Sequence, residues 1–147
     1  MFYKSLSIIL LSSLIVISCS PVKKVTLGNT TTGEGIELKG VHWKLVSFEN
    51  DITPLKYNIH FQLSEDSNRM YGQGTCNTIN GTYSLEIKYK ISFQNLIMSW
   101  KACNDDGYEK RYLELLRKAN RYKLEDGKLL LYNEQKKLAV FIKTARE

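Results

Sequence analysis

The stretch TINGTYSLEIKYKISF, Thr78 to Phe93, decides the fold class. From Tyr83 onward its large apolar residues occupy every second position: Tyr83, Leu85, Ile87, Tyr89, Ile91 and Phe93. Side chains of a strand point alternately to its two faces, so this pattern predicts sheet with one face buried and one wet, as two strands or one bent strand. At its head, Asn80-Gly81 predicts a two-residue hairpin turn, because both residue types tolerate positive φ.

The same period runs outward in both directions. Val41, Trp43 and Leu45 alternate with His42 and Lys44, and Tyr57, Ile59, Phe61 and Leu63 alternate with Asn58, His60 and Gln62. Gly72 and Gly74 stand in a strand-like run, where glycine marks a bulge, a bend or a close backbone approach. Asp126-Gly127 is a second hairpin signal. Leu129 to Tyr132 and Leu138 to Ile142 predict a last hairpin around Asn133-Glu134-Gln135. The period changes to 3.6 once, where Tyr108, Tyr112, Leu115, Leu116 and Ala119 share one helical face and Glu109, Lys110, Glu114, Arg117 and Lys118 fall mostly on the other. Asn104, Asp105 or Asp106 is expected to cap this helix, and a cap accounts for the Asp105-Asp106 pair without a catalytic role.

The N-terminus carries an address. Lys4 precedes an apolar stretch, Leu6 to Ile17, interrupted only by Ser7, Ser12 and Ser13. A membrane-spanning helix needs about 20 mostly apolar residues, so this stretch has the length of a signal-peptide core instead. It ends Val16-Ile17-Ser18-Cys19, which resembles the lipobox of bacterial lipoproteins: an apolar residue, a tolerant one, a small one, then cysteine. Residues 1–18 are therefore expected to be a lipoprotein signal peptide. Residues 19–39 are expected to be the lipidated N-terminus and a flexible tether, and residues 40–147 one domain. Acylated Cys19 would hold the chain to a lipid bilayer, each buried methylene contributing about 0.8 kcal/mol. Ser20 suits an outer-membrane address facing the periplasm, since the common retention signal is an aspartate there.

The formal charge is +6 at pH 7, but acids interleave with bases along the chain, which fits a solvated surface. Nucleic acid is not expected as a partner beyond an export signal. No nucleophile elbow, phosphate-cradling glycine loop or His-Glu zinc pattern is present. The two histidines, His42 and His60, sit at strand positions facing solvent. No cofactor and no metal site is expected, and no catalytic residue is assigned.

Several segments, in order, resemble the META domain family, also called HslJ-like, over about Gly40 to Lys143. They are the tryptophan strand Trp43-Lys44-Leu45, the signature Gly74-Thr75-Cys76-Asn77 with Asn80-Gly81-Thr82-Tyr83, the second signature Ser99-Trp100-Lys101-Ala102-Cys103, the glutamate-led helix Glu109 to Leu116, Tyr122, and Leu129-Leu130-Leu131. Two departures stand out. Thr75 separates Gly74 from Cys76, and Ser99 replaces the more usual threonine. The resemblance implies an α+β domain, with a strongly curved, mostly antiparallel, cracked-barrel-like sheet packed on one amphipathic helix.

With Cys19 lipidated, Cys76 and Cys103 remain. They occupy the two signature positions and fit one disulfide in an exported protein, two buried thiols being the alternative. Domains of this family look similar to pilot lipoproteins that hold a lipid or peptide in a barrel crevice, and members are linked to heat and antibiotic stress. The resemblance thus implies a non-enzymatic envelope protein that binds a partner protein or an apolar ligand. The crevice would be lined from Trp43, Phe61, Phe93, Tyr112 and Leu116, and Trp100 and Tyr108 are further surface candidates. The alternative reading is an inhibitor of an envelope-directed hydrolase such as lysozyme.

Overall fold

The computed structural model describes residues 38–51 and 53–145. The leader, Cys19 and the tether up to residue 37 lie outside the described residues. Eight strands follow one another around a closed antiparallel barrel: β1 (His42–Phe48), β2 (His60–Leu63), β3 (Arg69–Gln73), β4 (Thr78–Glu86), β5 (Lys90–Met98), β6 (Arg121–Glu125), β7 (Lys128–Asn133) and β8 (Lys136–Thr144). The helix α1 (Tyr108–Lys118) stands between β5 and β6 in the chain and packs on β5. One helix on a strongly curved antiparallel sheet is the α+β arrangement expected.

The barrel is almost split at one seam. β8 pairs with β1 along nearly its whole length, whereas β5 meets β6 at the single register pair Lys90↔Arg121. Two backbone hydrogen bonds reinforce that point, from Ile91 N–H to the Asn120 carbonyl at 3.2 Å and from Tyr122 N–H to the Tyr89 carbonyl at 2.9 Å. The helix stands between these two strands in the chain and packs on β5.

Inward-facing residues of every strand fill the interior. Phe61 lies at its centre, edge-on to Phe93 at 5.5 Å and to Phe141 at 5.1 Å, within the range favoured by aromatic quadrupoles. Tyr112 of the helix is fully buried and donates its hydroxyl to the His60 carbonyl at 3.0 Å. Burial pushes the Tyr112 phenol far above its ordinary range. Arg111 covers the Phe48 ring at 4.3 Å, and Tyr108 packs beside Phe48 and Tyr57.

Three expectations are corrected. Leu38 and Lys39 belong to the fold rather than to a tether: Leu38 is fully buried, its carbonyl accepts the Trp43 indole N–H at 3.0 Å, and Lys39 bridges to Leu63. Asn80-Gly81 is not a turn. Both residues lie inside β4, opposite a bulge in β5, where the register shifts between Asn80 and Thr82. The reversal comes at Ile87–Tyr89, with Lys88 and Tyr89 at φ 63° and 58°. A one-residue bulge lets two residues of one strand oppose one of its partner, and this restores an inward phase for Leu96 and Met98. Finally, Tyr57–Ile59 precede the second strand instead of extending it. The hairpins at Asp126-Gly127 and around Glu134 stand where their turn residues place them.

Gly81 is required by space at the bulge, because a Cβ there would lie 2.7 Å from Leu96 Cδ2 and 2.8 Å from the Gln94 carbonyl oxygen. Gly81→Ala is therefore expected to destabilise the domain by about 1–3 kcal/mol, the usual overpacking cost. Asn80→Ala, at an exposed position, should change it by no more than about 0.5 kcal/mol. Urea denaturation of the two variants checks this, and the reverse ranking would remove the steric account.

Candidate functional site

The two signature segments meet at the N-terminus of α1. The β3–β4 turn, residues 74–77, closes with the Gly74 N–H donating to the Asn77 carbonyl at 2.7 Å. This turn lies under the Glu109 carboxylate. Glu109 Oε1 accepts the N–H groups of Asn77 at 2.8 Å and Cys76 at 3.3 Å, and Oε2 accepts the Asn77 side-chain amide at 2.6 Å. Gly74 has no side chain for a direct reason. A Cβ there would collide with the Glu109 carboxylate.

Asn77 is only 2% exposed, and its amide is fully used. Its oxygen accepts the Ser99 hydroxyl at 2.9 Å and the Lys101 N–H at 2.8 Å, and its nitrogen donates to the Lys101 carbonyl at 3.1 Å as well as to Glu109. Ser99 in turn accepts the Thr78 N–H at 3.1 Å. The hydroxyl that this position needs is thus supplied by serine as well as by threonine. Thr75, the residue inserted into the first signature, donates to Asp105 at 3.0 Å.

Asp105 serves the first turn of the helix from two residues before the cap position, which Gly107 holds in place of the expected Asn104, Asp105 or Asp106. Its carboxylate accepts the Glu109 N–H at 2.7 Å and the Gly107 N–H at 3.1 Å, while Gly107 holds the cap position in the left-handed conformation. The Glu109 N–H, then the Thr75 hydroxyl and the Gly107 N–H, hold the Asp105 carboxyl below its ordinary range against a smaller opposing effect of burial. Asp106 is exposed and pairs with Lys56 at 3.2 Å.

A Cys76–Cys103 disulfide joins the same two segments, with the Cα atoms 6.5 Å apart and the cysteines 27 positions apart in sequence. Closing a loop of that length contributes on the order of 3–4 kcal/mol in the chain-entropy account. Ligand atoms of Cys76, Cys103 and Glu109 lie within 4.8 Å of one another. As donors to a metal they are committed elsewhere, the sulfurs to each other and the carboxylate to the turn.

The five residues expected to line a crevice are core residues. Trp43, Phe61, Phe93, Tyr112 and Leu116 are 0–6% exposed and pack into one cluster, so they fill the barrel instead of walling an opening. Of these, Trp43 also borders a shallow recess beside Lys39, Val41 and Leu124. Tyr108 is half-buried in its aromatic contacts, but Trp100 is 96% exposed. His42 and His60 face outward on β1 and β2 with their ring centroids 4.0 Å apart and the planes tilted by 40°. Their Nδ1 atoms lie within hydrogen-bond distance of Thr144 Oγ1 and the Asn58 carbonyl.

Comparison with known proteins matches the META domain over residues 36–146. The chain belongs to the META domain family. Two solved structures share the fold. An NMR structure of a protein from Burkholderia xenovorans is 22% identical with a TM-score of 0.60, over 75% of this chain and 86% of that one. A crystal structure of a DUF4847 family protein from Bacteroides vulgatus is 19% identical with a TM-score of 0.54, over 77% of this META chain and all of the other. No curated protein matches the chain.

Glu109 is the residue that helical patterning misplaces, since it reads as part of the polar face and is 8% exposed. Glu109→Ala strands three donors, so a loss of about 3 kcal/mol is expected in urea denaturation. Glu109→Gln keeps one acceptor and should fall between. Asp105 adds a pH dependence. Its pKa is lower folded than unfolded, so its contribution is complete above the ordinary aspartate value near ~3.9 and is lost as pH falls through the lowered folded value. Asp105→Asn should accordingly flatten the acid limb of stability below pH ~4, measured as thermal midpoint against pH.

Proposed function

We propose that this protein is a bacterial envelope lipoprotein, cut before Cys19, anchored through acylated Cys19 and carrying a non-enzymatic META domain that binds a partner protein. The observation that carries this reading is Val16-Ile17-Ser18-Cys19 at the end of an apolar stretch too short to span a bilayer. The buried polar cluster supports the non-enzymatic part. Glu109, Asn77 and Asp105 hold the turn, the linker and the helix together through their own hydrogen bonds. A partner protein is preferred to an interior apolar ligand, because Phe61, Phe93 and Phe141 fill the barrel. Ser20 after the lipidated cysteine supports an outer-membrane address facing the periplasm.

Expression of the full chain in a bacterial host tests the anchor. Intact mass of the membrane-extracted protein should show a chain beginning at Cys19 and carrying acyl groups, and Cys19→Ala should release it from the membrane fraction. A chain that keeps residues 1–18, or a Cys19 without acyl groups in wild type, overturns the anchor. In-cell crosslinking followed by pull-down should recover a partner from the anchored chain and much less from Cys19→Ala.

A further inference from the structure

We infer that the outer face of β3, β4 and β5, together with the segment just after β5, docks on an anionic bilayer surface. The inference builds on the proposed anchor, which would keep the domain beside a membrane, and adds which side of the barrel faces it.

Among the described residues the large exposed hydrophobics are Tyr71, Ile87, Tyr89, Ile97 and Trp100. Ile87 and Tyr89 belong to the β4–β5 turn, where chain reversal accounts for their exposure. Of the other three, Ile97 lies near the opposite end of β5, Tyr71 on β3 and Trp100 two residues beyond β5. Tyr71 lies across from Asn80 on β4, and Asn80 lies across from Ile97 on β5, so Tyr71 and Ile97 flank one cross-strand row. Trp100 follows Ile97 by three residues. Their exposures are 46% for Tyr71, 71% for Ile97 and 96% for Trp100.

The bulge shapes this face. Asn95, at φ 51°, turns outward and donates its amide to Thr82 at 3.2 Å. The resulting shallow groove is lined by Arg69, Tyr71, Asn80, Thr82, Asn95 and Ile97, with Met70 and Gly81 at its floor, and by no carboxylate. Arg69 has no ion-pair partner among the described residues, and exposed Lys101 follows Trp100.

This combination fits a bilayer better than a folded partner. Protein hot spots are desolvated pockets at the centre of an interface, whereas Ile97 and Trp100 project into solvent. A projecting aliphatic and a projecting indole suit a deformable phase, and Trp and Tyr favour the headgroup region, where one end is apolar and the other wet. The cations match the surface charge, each being worth about fivefold in binding near an anionic leaflet. Because the anchor makes the contact effectively intramolecular, a weak face suffices.

The test compares the acylated mature chain with an unacylated Cys19→Ala chain that starts at residue 19. Both are mixed with vesicles of phosphatidylcholine alone or with phosphatidylglycerol, with bromine on the acyl chains. The chain has two tryptophans, and Trp43 is buried at 3% exposed, so quenching reports Trp100 once the Trp100→Phe signal is subtracted. Trp100 is expected to be quenched in anionic vesicles for both chains, and only at higher lipid for the unacylated one. Arg69→Gln or Lys101→Gln should each weaken partitioning of the unacylated chain about fivefold. An acylated chain that floats with vesicles while Trp100 stays unquenched leaves the anchor standing and overturns the docking face. Quenching of the Cys19→Ala chain when wild type carries no acyl group does the reverse. A Trp100 that is silent in both chains overturns the docking face, as does equal quenching in neutral vesicles.

Discussion

The contact between the Glu109 carboxylate and Asn77 sets the terms for the rest of the molecule. A carboxylate taken out of water costs several kcal/mol unless donors replace the water. Here the donors come from a turn between two strands, and the carboxylate comes from the first turn of the helix. Asn77 also binds both sides of the Ser99–Lys101 segment, so strand turn, linker and helix form one hydrogen-bonded unit. Moving any one of them exposes the others to unmet hydrogen bonds in a low-dielectric setting. The Cys76–Cys103 disulfide repeats that connection covalently.

This unit matters to the barrel because of the weak seam. With β5 and β6 joined at a single register pair, the ladder alone does not close the sheet firmly. The helix packs on β5, buries Tyr112, Leu115 and Leu116, and reaches the His60 carbonyl of β2 through Tyr112, which adds a tie between β5 and β2 outside the ladder. Glu109 and Asp105 fix where that helix begins. Glycine at position 74 is part of the same arrangement, since only the absence of a side chain lets the turn approach the carboxylate.

Legibility in the sequence followed the range of the interaction. Asp126-Gly127 and Asn80-Gly81 have the same local chemistry, yet only the first is a turn. The second is held extended by ladders on both sides, with β3 and with β5, and those pairings outweigh two residues' turn preference. Glu109 is a similar case. Its partner Asn77 lies 32 residues upstream, and a helical period of apolar residues carries no trace of a buried carboxylate. The aromatic positions singled out for a crevice were found as buried positions, but alternation does not distinguish the wall of an open cleft from the interior of a closed barrel.

By itself the sequence determined most of the strands, an amphipathic helix, the last two hairpins, the ordered signatures of the META domain and the pairing of Cys76 with Cys103 as one of two options. These rest on periodicity and local chemistry, which act over a few residues, or on the order of signature residues along the chain. Only the tertiary structure decided that Asn80-Gly81 lies in a bulged strand, that Leu38 belongs to the core and that Glu109 is a clamp beneath the first signature. It also decided that Tyr71 and Ile97, 26 positions apart in the chain, share a face with Asn80 between them. Each of these outcomes is set by which segments pair across the barrel, and pairing at long range is a property of the closed sheet, not of any one segment.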